Sequence, residues 1–113
     1  MKVNNLLNID SITLLTNDLD LDSDIKNYYC GDLLSFVLAN ATEEDTCLIT
    51  INPSMNVIGI AVLLEFKAVI FTSDIKPSSD VIKKAIDENI PLFQTKLHAL
   101  DVYKEILKYE NKI

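Results

Sequence analysis

Few side chains in this sequence can do chemistry. One histidine, His98, and two cysteines, Cys30 and Cys47, are its only imidazole and thiol side chains. A tetrahedral zinc site needs three or four ligands that converge. The cysteines are seventeen residues apart and His98 stands in no HxxxH or CxxH pattern, so no metal site is expected. Both cysteines fall in apolar segments and read as compact core residues. His98 reads as a capping or surface residue. Pairing it with Asp74 as acid and base is the only enzymatic reading, and no nucleophile, metal set or cofactor loop supports it. The alternating acids Asp18, Asp20, Asp22 and Asp24 suggest calcium. Counted from Asp18, however, the glycine and glutamate of an EF-hand loop are replaced by Ser23 and Tyr29. This run reads as a solvated acidic connection. The only glycines are Gly31 and Gly59, so neither GxxxxGK[ST] nor GxGxxG can be written. No catalytic residue and no cofactor is expected.

The elements that would position these residues follow from periodicity. Residues 3–9 suggest a short helix. Ile12–Thr16 and Ile25–Cys30 suggest strands, and they could lie antiparallel at one edge of a sheet. Gly31-Asp32 breaks the second strand and caps a helix over 33–40, with Leu33, Leu34, Val37 and Leu38 on one face. Thr46–Ile51 is the clearest strand, apolar and β-branched as in a buried sheet. Asn52-Pro53 reads as a helix start, since proline fits the first helical position. The helix after it, to about Leu64, is apolar nearly all round and must be covered on more than one side. In a domain this small the second cover could be another subunit. Lys67–Thr72 is a fourth strand. Ser78 or Ser79 caps a helix to about Asn89, and Pro91–Thr95 is a fifth strand. The last helix runs from about Leu97 to Tyr109. From Thr46 onward strand and helix alternate, which predicts a layered α/β/α domain around a mostly parallel sheet of about five strands with right-handed crossovers.

Open parallel sheets bind ligands beyond the carboxyl ends of their strands. Three polar stretches occupy those places: Asn52 to Asn56, Thr72 to Lys76, and Thr95 to His98. The candidate ligand-binding residues are Asn52, Ser54, Asn56, Thr72, Ser73, Asp74, Thr95, Lys96 and His98. Asn52, Ser54 and Asn56 surround a helix N-terminus whose free amides favour an anion. Lys76, Lys96 and His98 could add positive charge. The same residue types also lead at ordinary caps and turns, and that reading stays open.

The chain has 113 residues, the size of one domain, and 49% are hydrophobic, enough for a core without staples. The net charge is −7 and all ten basic residues are lysine. Residues 1–65 carry two lysines against ten acids, and residues 66–113 carry eight against seven. Nucleic-acid binders use basic patches, so nucleic acid and anionic membrane are not expected partners. The acidity reads as a solubility feature. Nothing over Met1–Asn8 reads as a signal peptide. No run reaches the ~18 apolar residues of a membrane span. A cytoplasmic, reduced setting is expected.

Several short stretches together resemble a known family. They are Gly31-Asp32-Leu33-Leu34-Ser35, Ile49-Thr50-Ile51, Asn56-Val57 with the apolar helix, Lys84-Ala85, Asn89-Ile90-Pro91-Leu92 with Thr95, and Tyr103. Spread over residues 25–109, this pattern resembles the DRTGG domain, and more narrowly the small stand-alone DRTGG-like proteins of anaerobic bacteria. The resemblance implies one α/β domain over 1–113, similar to the N-terminal domain of HPr kinase/phosphorylase. It implies a regulatory module of the kind found beside CBS domains, with nucleotide sensing suggested for some members and dimers typical. The sequence departs from the family's naming motif. Asn52-Pro53, or nearby Ser54-Met55, replaces the Asp-Arg pair after the third strand, and Ser73-Asp74 replaces the glycine pair after the fourth. The lost arginine and glycines remove a phosphate clamp and room for close backbone approach.

Taken together, these residues predict a non-catalytic regulatory or protein-interaction module. It would form a homodimer through the apolar helix near residues 54–64. The alternative is a sensor of a small anionic ligand, an adenine nucleotide, using the loops at Asn52, Ser73 and Thr95.

Overall fold

β-branched and aromatic runs alternate with helical segments, amphipathic over Ser79–Asp87 and Ala99–Tyr109 and apolar nearly all round over Met55–Leu63, and each becomes an element of one sheet or one of its covering layers. The computed structural model describes residues 1–113. A 3₁₀ turn over Val3–Asn8 precedes β1 (Ile12–Leu14). There follow β2 (Asn27–Cys30), α1 (Leu34–Asn40), β3 (Thr46–Thr50), α2 (Met55–Leu63), β4 (Ala68–Phe71), α3 (Ser79–Asp87), β5 (Leu92–Thr95) and α4 (Ala99–Tyr109). The five strands form one sheet in the order β1-β5-β4-β3-β2. The pairs β2–β3, β3–β4 and β4–β5 are parallel.

Strand alternation divides the core into two layers. On one face Leu48, Val69, Phe71 and Leu92 meet Val37, Val57, Ile58, Ala61, Val81 and Ala85 of α1, α2 and α3. On the other face Cys47, Ile49, Ala68, Ile70 and Phe93 meet Val102 and Ile106 of α4 with Val3 and Leu6 of the 3₁₀ turn. All five β3 residues and all four of β4 are buried, as expected for strands covered on both faces. The layered, mostly parallel α/β expectation is met.

Several local expectations are corrected. β1 and β2 do not pair. β1 lies antiparallel to β5 at one edge, while β2 lies parallel to β3 at the other. α1 serves as the crossover that sets β2 parallel beside β3. The connection over residues 15–26 is long enough, at roughly 3.3 Å per extended residue, to carry the chain across the sheet. Asp32 does not cap α1: the N-cap residue is Leu33, with no side-chain cap bond. α2 starts later than Asn52-Pro53, with Ser54 as the N-cap residue. Asn52 Oδ1 instead accepts from the Ser54 N–H at 3.0 Å, closing a turn that delays the helix. Cys30 is exposed, because it ends the edge strand, while Cys47 is buried in β3. Ser78 does cap α3, its Oγ accepting from the Val81 N–H at 3.4 Å.

Candidate functional site

The carboxyl ends of β3, β4 and β5 are tied together by backbone and side-chain bonds. After β2, the Asp32 carboxylate reaches across to the end of β3. Its Oδ1 accepts from Thr50 Oγ1 at 3.1 Å and from the Ile51 N–H at 2.8 Å. Thr50 Oγ1 in turn accepts from the Asn52 N–H at 3.1 Å, and Asn52 Nδ2 donates to the Asp32 carbonyl at 3.2 Å. The Thr72 N–H donates to the Thr50 carbonyl at 3.0 Å, linking this loop to the one after β4.

That next loop has an unusual backbone. Ser73 and Asp74 are both left-handed, with φ of 59° and 61°. Glycine adopts this region without steric cost, whereas other residues do so at a cost of about 1–2 kcal/mol each. Two bonds hold the pair: the Ser73 N–H donates to the Leu97 carbonyl at 2.8 Å, and the Asp74 N–H to the Thr95 carbonyl at 3.0 Å. Ser73 Oγ lies 3.0 Å from His98 Nδ1. Thr95 Oγ1 accepts from the Leu97 N–H at 3.1 Å, and Gln94 Nε2 donates to the Asp74 carbonyl at 3.3 Å. Ser73 and Asp74 therefore keep a glycine-like backbone, yet spend their amides inside the protein.

The nine candidate residues divide accordingly. Asn52 and Ser54 gather with Asp32 and Thr50. Ser73, Asp74, Thr95 and His98 gather around the left-handed turn. Thr72 is buried between the two groups. Asn56 and Lys96 are exposed; Asn56 sits on α2, and Lys96 lines a shallow hollow of about 350 Å³ with Asp10, Ser11, Thr13 and Asp74. The Asp74 side chain is not the partner of His98. The nearest thing to a catalytic dyad is Ser73–His98. The Ser73 N–H, one backbone donor such a serine could use, is committed to the Leu97 carbonyl. Burial pushes the Cys47 thiol far up, and partial burial followed by the Asp32 carboxylate pushes up Cys30. Neither is an activated thiolate at neutral pH. Burial also raises the Tyr28 phenol, whose ring packs 5.5 Å from that of Tyr103. No group of three or more His, Cys, Asp or Glu side chains is placed to hold a metal ion. No helix is long and apolar enough to cross a membrane.

The largest concavity lies elsewhere. A groove of about 630 Å³ runs along the outward side of α2, between Leu34, Ser35 and Leu38 of α1 and Lys84 and Glu88 beyond it. α2 contributes Met55, Asn56, Ile58, Gly59, Ile60, Val62 and Leu63. Only Val57, Ile58 and Ala61 of α2 are buried, while Leu63 is 67% exposed and Met55 and Val62 exceed 40%. The groove itself was not read from the sequence. Its signal was the absence of a polar face on α2, which marked that helix as needing a second cover.

No family model and no curated protein matches the sequence. Among solved structures, the fold is similar to one described as the CBS and DRTGG domains of the regulatory region of Clostridium perfringens pyrophosphatase, complexed with its activator diadenosine tetraphosphate. The TM-score is 0.71 at 16% sequence identity, over 95% of this chain and 46% of that one. This chain thus spans less than half the length of the chain it resembles. The five-stranded, mostly parallel sheet with helices on both faces is an α/β fold like that found in this CBS- and DRTGG-containing structure.

Proposed function

We propose that this chain is a non-catalytic regulatory module that works by self-association, as a homodimer, through the outward face of α2. One observation carries the reading: an apolar helix face and groove left open to solvent in a protein of net charge −7. Contiguous apolar patches on a soluble chain mark contact sites. The likeness in fold to a regulatory region supports the same reading. So does the way the side chains of Asp32, Thr50, Asn52, Thr95 and His98 at the strand ends are spent on local hydrogen bonds. The two free thiols fit a cytoplasmic setting. Size-exclusion chromatography with light scattering tests the proposal. A dimer mass that falls toward the monomer on dilution is expected, and a monomer at every concentration refutes it.

A second reading is favoured by the adenine dinucleotide in the fold neighbour. On this reading the module senses an adenine nucleotide at Asn52, Ser54, Asn56, Thr72, Ser73, Asp74, Thr95, Lys96 and His98. Thermal shift against AMP, ADP, ATP and diadenosine tetraphosphate decides it. A folded protein whose melting temperature moves with none of them removes the reading.

A further inference from the structure

The apolar groove on α2 continues past the end of the helix. Leu63, 67% exposed, also walls a second hollow of about 440 Å³, so the two depressions meet at its side chain. The second hollow is acidic. Glu43, Glu44 and Asp45 come from the loop after α1, and Glu65 from the turn after α2. Topology brings them together: α1 and α2 are successive crossovers between parallel strands, so both helices finish at the same end of the sheet.

Charge distinguishes the two hollows. Neither α1 nor α2 carries a charged side chain, and the two charges lining the groove, Lys84 and Glu88, pair with each other at 3.0 Å. A Cβ on Gly59 would meet nothing within 4 Å, so the middle of the groove is open as well as apolar. In the acidic hollow Asp45 is answered by Lys26 at 3.6 Å and Lys67 at 3.8 Å. Glu43, Glu44 and Glu65 are exposed and pair with no cation of the chain. Carboxylates gathered at one place hold a negative potential that an approaching cation relieves. An occupant of this surface therefore needs an apolar stripe along α2 and positive charge where α2 ends. A second copy brings the stripe but not the charge, because its own surface is apolar and acidic in the same places. The nine residues of α2 span ~13 Å, which a partner helix of about three turns covers with apolar residues at i, i+4 and i+7.

We propose that the groove and the acidic hollow together dock an amphipathic helix of another protein, apolar on one face and lysine- or arginine-rich at the end lying over Glu43, Glu44 and Glu65. This goes beyond the self-association reading: the helix takes the face that reading gives to a second copy, so the two occupants compete. The probe is a labelled synthetic helix of about sixteen residues, with leucines on one face and lysines on the other. Its control carries glutamates in place of the lysines. Both are titrated with the full chain by fluorescence anisotropy, and sedimentation velocity follows the mass of the complex. The lysine peptide is expected to bind and the glutamate peptide not. Glu43→Gln, Glu44→Gln and Glu65→Gln combined should weaken binding about tenfold, as three exposed pairs together supply. Leu63→Ser should weaken it by a similar factor, about tenfold, through lost apolar contact. Asp10→Asn, Asp101→Asn and Glu105→Gln combined change the net charge equally, on or beside α4 across the sheet. At about 0.1 M salt these distant charges are screened, and the loss should stay below about twofold. A folded chain that does not bind the lysine peptide overturns the proposal. Equal weakening by the two triple variants, or equal binding of the two peptides, overturns it as well. If the wild type is a dimer, bound peptide should bring its mass toward that of one chain. A peptide that binds an intact dimer overturns the shared face and leaves self-association standing. A monomeric wild type that binds as described supports the proposal and refutes self-association.

Discussion

Asp32→Ala is expected to lower stability by about 2 kcal/mol although the residue lies at the surface. The carboxylate accepts from the Thr50 hydroxyl at 3.1 Å and the Ile51 amide at 2.8 Å. Hydrogen bonds to a charged group contribute about 1.5–3 kcal/mol when sheltered. Asp32 is exposed, so solvent screening brings each down to roughly 1 kcal/mol. Thr50 is fully buried, and its hydroxyl hydrogen loses its acceptor in the variant. For 113 residues, unfolding entropy near 2.1 cal/mol/K per residue converts this loss to about 8 °C in Tm. Asp32→Asn keeps an acceptor oxygen without the charge and should lose about half as much. Urea unfolding of Asp32→Ala, Thr50→Val and the double variant measures the coupling directly. A coupling of about 1 kcal/mol is expected, since Thr50→Val already removes one of the two bonds. If Asp32→Ala stays within about 0.5 kcal/mol of wild type, or the coupling is zero, the network is not stabilising and the account is wrong.

Three further outcomes are expected. Asp74→Gly should be neutral or slightly stabilising, because relief of the left-handed φ of 61° offsets the extra entropy of the unfolded chain, whereas Asp74→Val should lose about 2 kcal/mol; equal melting temperatures for the two would contradict the strain. In the native protein one thiol, that of Cys30, should react with a thiol reagent, and two should react in denaturant; two fast-reacting thiols before unfolding would contradict the burial of Cys47. Stability should fall as pH rises above about 9. Cys47 and Tyr28 have folded pKa values raised above the ordinary 9.0 and 10.0, so the unfolded chain releases their protons first and is favoured from there upward. Urea midpoints measured from pH 7 to 10.5 should show this slope, shallower in Cys47→Ala, and a flat profile would count against the neutral buried groups.

Much of the fold was legible in the sequence because it rests on local periodicity. TCLIT and AVIF are apolar throughout, as strands covered on both faces must be, and the segments after them carry helical spacing. Strand–helix alternation then leaves little freedom, since parallel neighbours need right-handed crossovers. A serine cap at Ser78 or Ser79 was recognisable because capping is a bond between near neighbours, and the structure uses Ser78. Neither edge of the sheet could be read, because which edge a strand joins depends on where a long connection lands. Asp32 had the sequence signature of a helix cap, but its carboxylate found a stronger use eighteen residues away, at Thr50.

The sequence by itself determined the layered class, the strand-forming runs, and the need of α2 for more cover than one sheet provides. Those follow from which residues avoid water and at what spacing. The tertiary structure alone decided that Ser73 and Asp74 take a glycine's backbone and spend their amides on β5 and the turn after it. It also decided that His98 meets Ser73 rather than Asp74, and that Gly59 looks outward with empty space above it. Each is a contact between distant segments, set by how the layers stack.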